Sequence, residues 1–154
     1  MLAQLKPDNL GFSTDNVVKL FDFGLAKCLS ERERDDDGMY RNMTQFTGAV
    51  RYMSPEVAKS DRYNLAADVY SWTVLLWYIM ALEPPFGLLP PDVMMQRVFL
   101  EDHRPFIHEK WPKFVKELLH MGWSVDVSKR PSMEKVSQVM QDILSVDDTG
   151  KDLE

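Results

Sequence analysis

The sequence is poor in cysteine. Cys28 is the one cysteine in 154 residues, so no internal disulfide forms and a cysteine-based zinc site is excluded. A reducing, cytoplasmic location is the expectation. Positive charge is also in deficit: Lys plus Arg is 18 against 24 for Asp plus Glu, a formal net charge of −6. Nonspecific nucleic-acid binding rests on neutralising phosphates with Lys and Arg, and docking on an anionic membrane needs basic clusters. The balance supports neither. Long apolar runs are missing too. The longest, Val74 to Leu82, falls far short of the ~20 residues that span a bilayer and reads as a buried core helix. Met1 to Pro7 holds no apolar stretch of signal-peptide length. There is no internal repeat, and no biased tract beyond the charged Glu31 to Asp37. What remains is a composition of 45% hydrophobic and 27% charged residues, which excludes a disordered or fibrous chain. The length suits one domain.

Two short strands are expected at Asn9–Phe12 and Val17–Leu20. Ser13-Thr-Asp-Asn16 between them is rich in turn formers and makes the pair a hairpin. From Asp22 to Pro55 the periodicity fades, and a stretch this long without regular structure is usually functional or disordered. Helical patterns fill the remainder. Ala66–Leu82 is apolar on nearly every side and should be buried all round, until Pro84 and Pro85 end it. Asp92–Leu100 and the amphipathic Lys113–Trp123 follow. The last helix runs from Ser132, a capping residue, to Leu144, with Met133, Val136, Val139, Met140, Ile143 and Leu144 on its apolar face. The tail, 147–154, is polar and expected to fray. His103, His108 and His120 lack metal spacing. The triplet Asp35–Asp37, set among arginines, reads as a solvated loop. Trp72, Trp77, Met53, Met80, Met94 and Met95 read as core.

The informative residues flank the hairpin. Lys6-Pro-Asp-Asn9 precedes it and Asp22-Phe-Gly24 follows it, so the hairpin should bring Asn9 and Asp22 to one end. An amide oxygen beside a carboxylate suits a hard cation such as Mg²⁺, which arrives with phosphate. Lys6 can meet a phosphate as a point charge. Leu5–Asn9, then Asp22–Gly24, Arg51-Tyr-Met-Ser-Pro-Glu56 and Lys129-Arg-Pro-Ser132, in that order, resemble the protein kinase family, from Leu5 to about Leu144. The wording is most similar to tyrosine-kinase-like serine/threonine kinases. The resemblance implies a mainly α fold with a small β-hairpin, the large lobe of a kinase. ATP and Mg²⁺ are the implied cofactors, with Lys6, Asn9 and Asp22 as the catalytic and cofactor-binding set and Asn9 and Asp22 on the metal. It further implies a buried ion pair between Glu56 and Arg130, an Asp68 that accepts N–H bonds from the catalytic loop, packing by Phe23, and phosphorylation sites at Thr44 and Thr47. Protein substrates or regulatory proteins are the implied partners.

The sequence also departs from that family. Leu2, Ala3 and Gln4 stand where the motif has His, Arg and Asp. The catalytic base is thus replaced by Gln4, whose amide has no useful basicity near neutral pH. Ala3 cannot receive a phosphorylated loop, and Ala49 replaces a threonine frequent in these kinases. No glycine-rich loop or strand lysine of the VAIK type precedes Leu5. Residues 1–146 are therefore expected to be a partial kinase domain with its small lobe missing. Alone, they should be inactive and bind MgATP weakly or not at all. The alternative is a pseudokinase-like binding module. Uncovered apolar surface of several hundred Å² on the central helix and hairpin, on the order of 10 kcal/mol, should leave the isolated chain molten, aggregated or bound to chaperones.

Overall fold

The computed structural model describes residues 5–40 and 48–147. Its hairpin is short. β1 (Leu10–Phe12) and β2 (Val18–Leu20) form a two-stranded antiparallel sheet in the register Leu10 to Leu20, Gly11 to Lys19 and Phe12 to Val18. The turn is held from both sides by Ser13. Its N–H donates to the Val17 carbonyl at 2.9 Å, and its Oγ accepts the Val17 N–H at 3.2 Å. Asn16 supplies the left-handed backbone the turn requires, at φ 59°, a conformation asparagine tolerates. A Cβ at Gly11 would sit 2.7 Å from Phe21 Cε2, so the missing side chain lets the Phe21 ring cross the strand.

The helices supply the core. α1 (Pro55–Ala58) is one buried turn begun by Pro55, where the fixed φ of proline suits the first helical position. α2 (Ala66–Ala81) is the central helix. The Asn64 side chain accepts the Ala66 N–H at 2.9 Å and so satisfies an orphan donor at its start. Leu82, in the left-handed conformation at φ 55°, ends it. α3 (Pro91–Met94) runs directly into a π-helical segment, Met95–Leu100. α4 (Lys113–Gly122) packs along α2, and α5 (Met133–Asp147) closes the other side. Ser132 Oγ accepts the Lys135 N–H at 3.1 Å and caps α5. Tyr70, Val74, Val98, Phe99 and Leu119 lie at the centre with no measurable exposure. Burial pushes the Tyr70 hydroxyl up to about 12, although the Arg104 and Arg130 guanidinium groups over its ring oppose the shift.

Two expectations about cover come out differently. The hairpin region is open: Phe12, Val17, Val18, Phe21 and Phe23 are all exposed, Phe12 at 74%. The central helix is largely covered. Ala67–Ser71 and Thr73–Trp77 are buried, with α4, α5 and the 3₁₀ turn Val50–Tyr52 packed against the helix, and the exposed apolar residues near its ends are Leu65, Ile79 and Leu82. Trp77 is core, with its Nε1 donating to the Phe106 carbonyl at 2.8 Å, whereas Trp72 is half-buried.

The α2–α4 seam is tight enough to test. A Cβ on Gly122 would lie 2.0 Å from Thr73 Oγ1 and 3.0 Å from Thr73 Cβ. Thr73 is fully buried and its hydroxyl donates to the Val69 carbonyl at 2.8 Å, so it has nowhere to turn. Gly122→Ala is expected to lower stability by about 1–3 kcal/mol through overpacking, despite the better helix propensity of alanine. Urea unfolding of the single variant and of Gly122→Ala with Thr73→Ala measures it. The second change should return much of the loss, and a stabilised single variant would contradict the packing.

Candidate active site

Lys6 is extended at φ −149°, and Pro7–Asn9 form a 3₁₀ turn closed by the Asn9 N–H donating to the Lys6 carbonyl at 3.1 Å. The chain then enters β1. At the return of β2, the Phe21 N–H donates to the Asn9 carbonyl at 2.8 Å. The hairpin thus brings the backbone of Asn9 beside Phe21, one residue before Asp22. Asn9 is buried and Asp22 is exposed. Asp22 takes the left-handed conformation, φ 57°, and its Oδ1 accepts the Gly24 N–H at 3.1 Å. That bond fixes one carboxylate oxygen. Phe23 is exposed at 59%.

A cleft of about 490 Å³ opens beside this turn, between Pro7 and Asp8 on one side and Ala49, Arg51, Tyr52 and Met94 on the other. Arg51 builds its far wall, donating from Nη1 to the Pro85 carbonyl and to the Gly87 carbonyl at 2.6 Å. Phe86 and Gly87 hold positive φ, 62° and 60°, which turns both carbonyls toward the guanidinium. Burial pushes the Tyr52 hydroxyl up to about 12, with the neighbouring Tyr78 adding to the shift. It remains a neutral donor throughout the physiological range.

The structure brings Glu56 and Arg130 together. Arg130 Nη1 donates to Oε1 at 2.6 Å and Nη2 to Oε2 at 2.8 Å, a fork on a carboxylate. Arg130 Nε also donates to the Ser124 carbonyl at 2.8 Å and Nη1 to the Ala66 carbonyl at 3.1 Å. One buried guanidinium therefore ties α1, the start of α2 and the segment before α5. Burial would raise the Glu56 carboxyl, but the hydrogen bonds and charge of Arg130 outweigh it and hold the group below its ordinary value. Asp68 is buried in the first turn of α2.

Gln4, Thr44 and Thr47, with Leu2 and Ala3, lie outside the described residues. The described part of the segment from Asp22 to Pro55 is less irregular than expected. It contains 3₁₀ turns at Glu31–Glu33 and Val50–Tyr52 and an isolated antiparallel bridge between Arg34 and Tyr40. The acidic triplet, expected as a solvated loop, is tied down: Arg62 pairs with Asp35 at 3.0 Å and with Asp37 at 2.7 Å. Sequence patterns missed the contacts of Arg51 and Arg62, because each reaches a partner some 25–36 residues away that no local period announces.

Among the described residues, no three His, Cys, Asp or Glu side chains converge as a metal site. The oxygen donors at the hairpin, a carboxylate and an amide, nonetheless have the chemistry of a Mg²⁺ site that keeps its waters and is completed by phosphate. No helix of the described residues is long and apolar enough to cross a membrane.

Comparison with known proteins agrees with the ordered motifs. Residues 4–140 match the family described as protein tyrosine and serine/threonine kinase. The chain is 34% identical over 142 residues to the serine/threonine-protein kinase VIK of Arabidopsis thaliana, covering 90% of this chain and 32% of that protein. It is 31% identical to the dual specificity protein kinase shkB of Dictyostelium discoideum, over 87% of this chain and 20% of that protein. It is also 31% identical to the human mitogen-activated protein kinase kinase kinase 7, over 91% and 22% respectively. The chain spans about a fifth to a third of the length of these relatives.

Proposed function

The chain belongs to the protein tyrosine and serine/threonine kinase family, and from that premise we propose that it carries the metal- and phosphate-facing part of a serine/threonine-directed kinase, acting on protein hydroxyls in the cytoplasm. The observation that carries this reading is the hairpin that returns the Asp22 loop beside Asn9. Asn9 and Asp22 are the residues that would hold Mg²⁺, and Lys6 would face the transferred phosphate. The magnesium nucleotide supplies the phosphoryl group and neutralises the charge that spreads over it. The cleft beside Asp8 and Tyr52 suits the stretch of protein that presents the hydroxyl. Gln4 occupies the position of the base, and an amide does not take the hydroxyl proton.

Within these 154 residues there is no glycine-rich phosphate loop and no VAIK-type lysine. By themselves they should hold MgATP poorly, at millimolar affinity or weaker, about 4 kcal/mol of binding free energy or less. Calorimetric titration of MgATP into the purified chain, with Asp22→Ala as the comparison, tests this. Micromolar affinity that disappears in Asp22→Ala would overturn the expectation of weak binding. It would also favour a second reading that Gln4 supports, a pseudokinase-like module that binds nucleotide and a regulatory protein without transferring phosphate. The exposed Phe12, Val17 and Val18 at the sheet edge are the surface a chaperone would hold on the isolated chain.

A further inference from the structure

The corner after α2 is held open. Leu82, Phe86 and Gly87 all take positive φ, at 55°, 62° and 60°, and Arg51 pins the corner by donating to the Pro85 and Gly87 carbonyls. Fixed in this way, Leu82 is 88% and Leu88 92% exposed. Across from the corner, the segment before α4 is held by Trp77, whose Nε1 donates to the Phe106 carbonyl at 2.8 Å. The Phe106 ring is 69% exposed, yet it has aromatic support. It meets His108 edge-on at 5.1 Å, His108 leans on Trp111 at 5.5 Å, and Trp111 meets Trp77 edge-on at 6.3 Å. Between the corner and these rings lies a groove of about 500 Å³. The buried Trp77, Phe86 and Pro105 line it together with the exposed Pro84, Leu88 and Phe106. Glu83 is the one ionisable residue among those that line the groove, and among the described residues no hydrogen bond or ion pair engages its exposed carboxylate.

We propose that this groove docks a proline-rich segment of a partner protein that carries an arginine beside its prolines. The walls decide against an added strand, which needs a row of unpaired N–H and C=O groups. Pro84 and Pro105 have no N–H, and the Gly87 N–H and Trp77 Nε1 are already given to the Pro84 and Phe106 carbonyls. A polyproline II segment makes no such demand, because its backbone stays solvated and has no internal hydrogen bonds to lose. Its shape is set before it binds, so little ordering entropy is spent in a short apolar groove. Trp77, Phe86 and Phe106 supply the aromatic surfaces on which prolyl rings pack. The arginine follows from charge. Glu83 makes the lining negative, in a chain of net charge −6, and Phe106 in the same groove offers an aromatic face to a guanidinium. Pro84 also borders the cleft beside Asp8 and Tyr52, so the docked segment and that cleft share one turn of chain. The groove stands whether or not the chain transfers phosphate.

Fluorescence anisotropy of a labelled proline-rich peptide with a single arginine, titrated with the whole chain, tests it. The wild type should bind this peptide, and should bind its glutamine counterpart about two- to fivefold more weakly, the range of an exposed ion pair. Phe106→Ala should weaken binding about tenfold through lost aromatic contact. Leu88→Ser, at a side chain almost wholly in water, should weaken binding while leaving the thermal melt unchanged. Glu83→Gln should erase the preference for arginine over glutamine and leave binding of the glutamine peptide as in the wild type. Phe12→Ser, at the open hairpin, should change nothing. The proposal is overturned if the wild type binds no proline-rich peptide, or binds a glycine- and serine-rich peptide with the same arginine equally well. It is also overturned if Phe106→Ala and Leu88→Ser both bind as wild type, if the arginine preference survives Glu83→Gln, or if Phe12→Ser alone abolishes binding. A dimer in sedimentation that Leu88→Ser dissolves would seat a second copy of the chain in the groove, and would equally overturn the partner segment.

Discussion

Replacing Arg130 with methionine is expected to cost about 3–5 kcal/mol, the usual loss when one member of a buried ion pair is removed. The Arg130 side chain is fully buried and that of Glu56 is 9% exposed, so the abandoned carboxylate has little water to turn to. The Ser124 and Ala66 carbonyls lose their donors as well. Against a typical domain stability of about 5–15 kcal/mol, the loss is a large share of the whole. Changing both residues, Glu56→Met with Arg130→Met, should cost much less than the sum of the single changes, because no charge is stranded. Urea unfolding of the four proteins in the cycle measures the coupling. A single Arg130→Met change costing under about 1 kcal/mol would mean that the pair behaves like a surface contact.

The same pair sets a pH dependence. The folded Glu56 carboxyl lies below its ordinary value of 4.5, so the unfolded chain takes up its proton first as pH falls. The stabilisation is complete above that value and is lost as pH drops through the lower, folded one. Glu56→Gln should flatten this part of the stability profile below about pH 4.5. A profile with the same acid slope in wild type and variant would assign the slope to other carboxylates.

How far the fold could be read from sequence depended on the range of the interaction. The hairpin was readable to within a residue, because Ser13–Asn16 is a local turn signal and Ser13 and Asn16 do what their side chains allow. Ala66–Leu82 was readable because apolar residues on every side suit a helix enclosed by others. Its end shifted by one residue, since Leu82 adopts the left-handed cap itself. Asp92–Leu100 was found as a helix, but its widening into a π turn after Met94 was not. No residue type marks a π segment, and its C-terminal end is held from a distance: Arg104 donates to the Val98 and Trp123 carbonyls. The approach of the Asn9 backbone to Phe21, one residue before Asp22, followed from the hairpin alone. Glu56 and Arg130, 74 residues apart, came into view through family resemblance and not through any pattern of spacing. Arg62 announced itself in neither way, and Arg51 entered as part of an ordered motif without any sign of its contacts. Their partners are main-chain carbonyls and an acidic turn whose positions depend on the finished fold.

The second large effect concerns catalysis. Purified alone, the 154-residue chain is expected to transfer no phosphate above background. Loss of a base by itself leaves slow transfer, because positioning and charge stabilisation supply much of the rate. On the proposed alignment Gln4 takes the place of that base, and these residues are expected to hold too little of the nucleotide to position it. Restoring the base with Gln4→Asp should therefore not rescue activity in the chain alone. The direct measurement is transfer of labelled phosphate from MgATP to a generic protein substrate, comparing wild type, Gln4→Asp and Asp22→Ala. Background labelling in all three is the predicted result. Steady ATP-dependent labelling by the wild type that vanishes in Asp22→Ala would contradict it and show that these residues form a complete catalyst.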